Sequence, residues 1–165
     1  MKKFDLSILE WIQRHLRTRC MDRVMAIATR LGDGGAVWFF YFLLMVLSSD
    51  MRGTAVTLFF CVLICAVVGN FALKPLFRRT RPCDLPGSAH QGINFPSDSS
   101  FPSCHTMTSV AAAVTISHTG GLLGMSSIVL ALLISFSRLY LYLHYPSDVI
   151  IGAVMGIAAG KLFLL

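Results

Sequence analysis

The sequence predicts an all-α, polytopic helical membrane protein, with about five transmembrane helices preceded by an N-terminal amphipathic helical segment. Three observations predict it. Of 165 residues, 55% are hydrophobic and only 13% charged, more apolar surface than a soluble domain of this size can hide. The mean hydropathy is +0.70. Apolar runs also recur along the chain at lengths suited to a bilayer, with polar turns between them.

The first thirty-odd residues are mixed. Leu6, Leu9, Ile12 and Leu16 fall near helical spacing, with Glu10, Arg14 and Arg17 on other faces, the pattern of an interfacial amphipathic helix. A second short helix is expected over Met21 to Leu31, ending at Gly-Asp-Gly-Gly. Five apolar runs follow: Gly34 to Ser49, Thr54 to Leu73, Phe101 to Thr119, Leu122 to Phe136 running on towards Tyr142, and Val149 to Leu165. The second holds twenty uncharged residues, which at about 1.5 Å each would cross a core of roughly 30 Å. Between the second and third runs lies a long polar segment, residues 74–100, punctuated by Pro75, Pro82, Pro86 and Pro96 and read as a loop. No repeat or linker divides the chain, so one membrane-embedded domain over 1–165 is expected. Segment 1–31 is its amphipathic start.

Other features exclude alternatives. The net charge of +6 is assigned to loops beside anionic headgroups rather than to nucleic acid. The start, M-K-K-F-D-L-S-I-L-E-W, lacks the small-residue cleavage site of a secretory signal. Cys20, Cys61, Cys65, Cys83 and Cys104 show no metal-ligand spacing with histidines and are expected as free thiols, with a Cys83–Cys104 pair left open. Gly152, Gly156 and Gly160 stand four apart and form one smooth stripe for a neighbouring helix, leaving an oligomer through that face open. His15, His90 and His118 are read as structural.

If each run crosses once, the end of the second, the start of the third and the end of the fourth share one membrane face. Three polar clusters sit there: K-P-L-F-R-R-T-R-P from Lys74, P-S-C-H from Pro102, and S-R-L-Y-L-Y-L-H-Y-P-S-D from Ser137. Lys74, Arg81 and Arg138 supply cations, and arginine forks match phosphate oxygens two at a time. Ser103 and the amide of Cys104, at a helix start, add hydroxyl and N–H donors to an anion cradle. His144 and Asp148 stand four apart, so the carboxylate is expected to hold one ring nitrogen and free the other as a nucleophile. His105 remains as an acid for the leaving oxygen. Arg78 and Arg79 are read as a charged loop end. Ionisable groups at this depth are costly and usually functional.

These clusters resemble the signature of the type 2 phosphatidic acid phosphatase superfamily, the lipid phosphate phosphatases. That signature is Lys, six residues, Arg-Pro; then Pro-Ser-Gly-His; then Ser-Arg, five residues, His, three residues, Asp. The first and third match without change; in the second, Cys104 stands where the family has glycine. The resemblance implies a metal-independent membrane phosphatase without cofactor, in which His144 forms a phosphohistidine, Asp148 orients it and His105 protonates the leaving group. Lys74, Arg81, Ser103, Cys104 and Arg138 would hold the phosphoryl oxygens. The compact chain looks most like the bacterial undecaprenyl-diphosphate phosphatases, so hydrolysis of undecaprenyl diphosphate to undecaprenyl phosphate is expected. Phosphatidylglycerol phosphate or phosphatidic acid as substrate, phosphotransfer between lipids, and non-catalytic binding of a lipid phosphate are the alternatives.

With five spans the N-terminal segment shares the site face. It carries Lys2, Lys3, Arg14, Arg17, Arg19, Arg23 and Arg30, against Arg52 and Lys161 opposite. The positive-inside rule alone would make that face cytoplasmic; the resemblance favours an extracytoplasmic site.

Overall fold

The computed structural model describes residues 2–85 and 98–164, and every element in them is helical. His90, and residues 86–97 of the polar loop expected over 74–100, lie outside the described residues. Two helices open the chain, α1 (Lys2–Leu16) and α2 (Arg19–Leu31). Thr18 caps α2 through a hydroxyl that accepts from Met21 N at 3.2 Å, the usual partner for an orphan N–H. On α1 the expected stripe holds, with Leu9 and Ile12 buried. Ile12 and Met25 pack against Tyr140, Leu141 and Leu143, so this helix pair seats on the turn that carries His144.

After the Gly32–Gly35 turn comes α3 (Ala36–Val46), then α4 (Arg52–Val67), which continues through a π-helical stretch, Val68–Leu73, into α5 (Lys74–Phe77). The chain is completed by α6 (Cys104–Ser117), α7 (Gly121–Tyr140) and α8 (Pro146–Leu162). Two stretches, Ser49–Asp84 and Gly121–Tyr140, are long and apolar enough to cross a membrane. In the first, only 22% of the most apolar window is buried, so it is not the hidden core helix of a soluble protein. Phe39, Phe40, Phe60, Val129, Leu132, Ile150 and Val154 likewise face outward, a band that water would not tolerate at this extent. The other three apolar runs form helices of 11, 14 and 17 residues. The third run starts its helix three residues late, at Cys104 after Pro102, whereas the fifth starts three residues early, at Pro146, with Tyr145 held extended ahead of it (ψ 154).

The central helix is α6. It packs against α7, α8 and α4, with Ala111, Ala112 and Ile116 fully buried. The glycine stripe of α8 meets α6 of the same chain: a β-carbon at Gly152 would lie 2.7 Å from Ser103 O, and one at Gly156 would lie 2.5 Å from Met107 O. The close neighbour of this stripe is thus α6 of the same chain. No disulfide joins Cys83 to Cys104.

Candidate active site

The ends of α4–α5 and α7 and the starts of α3, α6 and α8 meet around one cavity. A cavity of about 260 Å³ is lined by Lys74, Arg81, Cys104, His105, Arg138 and His144 among others. Six of the eight residues singled out from the sequence therefore share one space. Ser103 and Asp148 do not line it.

His144 lies on the turn between α7 and α8, fully buried. Its main-chain N–H and that of Leu143 both donate to Arg138 O, at 3.2 and 3.0 Å. The ring is held from both sides. Nδ1 is 2.6 Å from Ser100 O, and because a carbonyl only accepts, Nδ1 carries the hydrogen. Nε2 is 3.2 Å from Arg81 Nη1, which donates to it. Burial, with Arg138 and Arg81 adding to it, holds the imidazole well below the ordinary histidine range, so the ring is neutral at pH 7. Its Nε2 lone pair faces a guanidinium, where an anion would sit.

The Asp148 expectation needs correction. Asp148 Oδ2 is 3.7 Å from His144 Nδ1, beyond hydrogen-bond reach, and Ser100 O takes its place. The reason is Pro146 at the first turn of α8. It forces Tyr145 into extended backbone, so positions 144 and 148 are not one helical turn apart. Asp148 instead accepts from Tyr145 N at 3.0 Å and pairs with Arg79 Nη1 at 2.5 Å. Arg79, read from the sequence as plain loop charge, also donates to Ser147 Oγ at 2.8 Å and to Asp5 Oδ2 at 3.0 Å, and its guanidinium lies 4.1 Å above the Tyr145 ring. Asp5 in turn accepts from Ser147 N and Oγ at 3.2 and 2.7 Å. The start of α1 thus ties down the start of α8. Neither Arg79 nor Asp5 was singled out, since a contact between residues 74 positions apart leaves no periodic trace.

The cations are preorganised. Arg81, 1% exposed, donates to Leu143 O and Asp98 O at 3.0 Å each. Asp98 bridges two of the cations, taking Arg81 Nη2 on Oδ1 and Lys74 Nζ on Oδ2, both at 2.5 Å. Lys74 also donates to Asn70, in the π-helical stretch, at 2.8 Å. Burial raises the Asp98 pKa, but Lys74 and Arg81 outweigh it and hold the carboxyl below its usual range. Asp98 was missed in the sequence; its carboxylate sits where two cations present an anion position. Arg138 is 3% exposed. Its Nη1 donates to Thr29 on α2, while its Nε is buried without a partner among the described residues.

At the start of α6 the backbone is ordinary. The non-glycine residues at positive φ among those described are Arg78 and Tyr142, so Cys104 is not in a conformation that calls for glycine. Its side chain packs at Gly69 of the π-helical stretch, where a β-carbon would collide with Cys104 Sγ and lie 2.9 Å from Met107 Cε. No side chain caps this helix end, which leaves the first amides of α6 open to an anion. Ser103 is fully buried and shares its hydroxyl with Thr106 at 3.0 Å. Its main chain is held by α8, through its N–H to Asp148 O (3.2 Å) and the close pass of Gly152 at its carbonyl. His105 lines the cavity, and its Nε2 is 2.9 Å from Asp33 Oδ1.

A profile of the PAP2 superfamily matches residues 54–165. The chain belongs to the PAP2 superfamily. The PAP2 match takes in every cavity residue from Lys74 to His144, while Asp5, Thr29 and Asp33 precede it. Among PAP2-like relatives, decaprenylphosphoryl-5-phosphoribose phosphatase of Mycobacterium tuberculosis is 39% identical over 90 residues, covering 54% of this chain and 49% of the relative. The undecaprenyl-diphosphatase of Sulfolobus acidocaldarius is 30% identical over 121 residues, covering 73% and 58%. The chain spans about half the length of the curated relatives it matches. The crystal structure of Aquifex aeolicus LpxE superposes with a TM-score of 0.80 at 26% identity, over 96% of this chain and 93% of that one.

Proposed function

We propose that this PAP2 protein is an integral-membrane phosphatase that hydrolyses a lipid phosphate or diphosphate without a metal ion, with undecaprenyl diphosphate as the favoured substrate. One observation carries the lipid assignment. The polar cavity shares Gly34, Gly35 and Ala66 with an apolar groove of about 150 Å³ between α3 and α4, lined by Trp38, Phe39, Phe42 and Phe59 among others. A phosphate head in the cavity therefore has a dry channel beside it for a hydrocarbon tail.

In the proposed reaction, His144 Nε2 attacks phosphorus as the bond to the leaving oxygen breaks, giving a phosphohistidine. The neutral ring and the Nδ1–H to Ser100 O suit this, because they leave the lone pair on Nε2. Arg81, Lys74, Arg138 and the amide of Cys104 hold the phosphoryl oxygens, and an anion there would pair the orphaned Arg138 Nε. His105 protonates the leaving oxygen, then takes a proton from the water that releases phosphate. Asp148 and Arg79 act through the turn rather than on the ring. Fixed donors around the developing charge are the largest expected contribution to the rate.

The proposed topology has five crossings, α3, the α4–α5 rod, α6, α7 and α8, with the site at the extracytoplasmic face. The N-terminal helix pair, with its basic residues, then lies on that face as a packed part of the site and not as a free cytoplasmic loop. Cysteine labelling at position 3 in intact cells checks this, since protection from an impermeant reagent there contradicts it.

A second reading, a prenyl-linked phosphomonoester as substrate, is favoured by the 39% identity to the mycobacterial enzyme. Phosphate release by purified protein in chelator, from undecaprenyl diphosphate, a decaprenylphosphoryl phosphoribose, phosphatidic acid and phosphatidylglycerol phosphate, separates these. Prenyl substrates are expected to lead. Release only with added metal, or from no lipid, overturns the proposal.

A further inference from the structure

The Gly32–Gly35 turn, read from the sequence only as the end of a helix, packs directly on His105. Asp33 Oδ1 meets the ring at Nε2, 2.9 Å away. A β-carbon at Gly32 would lie 2.8 Å from Cδ2, the carbon bonded to that nitrogen. Both contacts fall on one edge of the imidazole, and any side chain at position 32 would push the turn off it. Gly34 and Gly35 follow with φ of 59° and 73°, left-handed backbone that glycine adopts without strain. They turn the chain into α3 immediately after the carboxylate. Asp33 has no other side-chain hydrogen bond among the described residues, and its carboxyl is held below the usual range, first by the hydrogen bond to His105.

The surroundings explain why such support is needed. Arg138 from α7 and Lys74 from α5 act on the ring as positive charges. Arg81, Asp98 and His144 line the same cavity, and Arg30 acts on Asp33 from α2. Cations on several sides disfavour a protonated imidazole, yet a general acid must carry its proton to the leaving oxygen. Among these groups Asp33 is the carboxylate in direct contact with the ring.

We propose that Asp33 is the positioning residue of the acid, taking the Nε2–H of the His105 imidazolium so that Nδ1–H faces the leaving oxygen. This rests on the phosphatase reading above. In the step itself, the His144 Nε2–P bond forms, the P–O bond to the lipid breaks, and the lipid oxygen takes the proton from His105 Nδ1. His105 is left neutral with Nε2–H still on Asp33. In the second step Nδ1 takes a proton from water as the water oxygen bonds to phosphorus and the P–N bond breaks.

The test compares Asp33→Asn and Asp33→Glu with wild type on two phosphomonoesters, dodecyl phosphate and p-nitrophenyl phosphate. The alkoxide of the first needs a proton to leave; the nitrophenolate of the second does not. Asp33→Asn is expected to lower kcat/KM for dodecyl phosphate about 10- to 100-fold, within the range a general acid supplies, and to cost p-nitrophenyl phosphate hydrolysis far less. The basic limb of the dodecyl phosphate profile moves to lower pH, because losing the carboxylate makes the acid easier to deprotonate. Asp33→Glu restores part of the rate. Equal losses on both substrates with an unmoved limb overturn the proposal. Ring titration of His105, followed by NMR in micelles, decides independently of turnover. A lower titration point in Asp33→Asn supports the pair, and an unchanged one overturns it. An active His144→Ala variant would instead sink the phosphatase mechanism, and the titration would still decide for Asp33.

Discussion

Nη1 of Arg81 lies 3.2 Å from Nε2 of His144, and the same nitrogen donates to Leu143 O at 3.0 Å. One guanidinium therefore sets the main chain of the His144 turn and faces the nitrogen assigned the attack. Its Nε and Nη2 meanwhile hold Asp98 O and Oδ1, and the single nitrogen of a lysine cannot span both sets of partners. Arg81→Lys is accordingly expected to lose nearly as much kcat/KM as Arg81→Ala, on the order of 10²- to 10³-fold, the scale for removing one preorganised donor. Steady-state kinetics on the best lipid substrate checks this. A lysine variant within a few fold of wild type would show that charge alone suffices.

Asp98 makes the opposite kind of contact. Its carboxylate holds Lys74 and Arg81 at 2.5 Å each, so an incoming phosphate competes with it for the same donors. Asp98→Asn removes that competing charge and is expected to tighten inhibition by orthovanadate several-fold. The inhibition constant in detergent solution measures it. Weaker inhibition would mean that Asp98 assembles the cradle rather than occupies it.

Cys104 replaces the glycine of the family pattern, but its backbone is not at positive φ and its sulfur fills the space over Gly69. Cys104→Gly is therefore expected to leave kcat/KM within about threefold while lowering stability by about 1–2 kcal/mol, from the void and the added backbone freedom. Parallel assays of turnover and thermal unfolding separate the two. A tenfold gain in turnover would show that the cysteine distorts the cradle.

Much of the site was legible because it follows from counting. Long apolar runs fix which polar clusters share an end, and Lys74, Arg81, Cys104, His105, Arg138 and His144 do line one cavity. What escaped was local geometry and long-range pairing. The spacing from His144 to Asp148 suggested a helical turn, but Pro146 breaks it and hands Nδ1 to Ser100 O. The spacing around Ser103 likewise gave no sign that its hydroxyl is shared with Thr106, one turn on. Asp5, Asp33 and Asp98 sit in turns or at a helix start, and each meets its partner across tens of residues, so no periodicity marks them. The glycine stripe announced a close neighbour but not that the neighbour was α6.

The central claim is a covalent phosphohistidine at His144. It is tested most directly by quenching the purified protein during turnover of a lipid substrate labelled in the transferred phosphate, then mapping the label. An acid-labile, base-stable phosphoryl group on the peptide containing His144, absent from the inactive His144→Ala variant, is the predicted result. Undiminished turnover by that variant, or label on another residue, would contradict it.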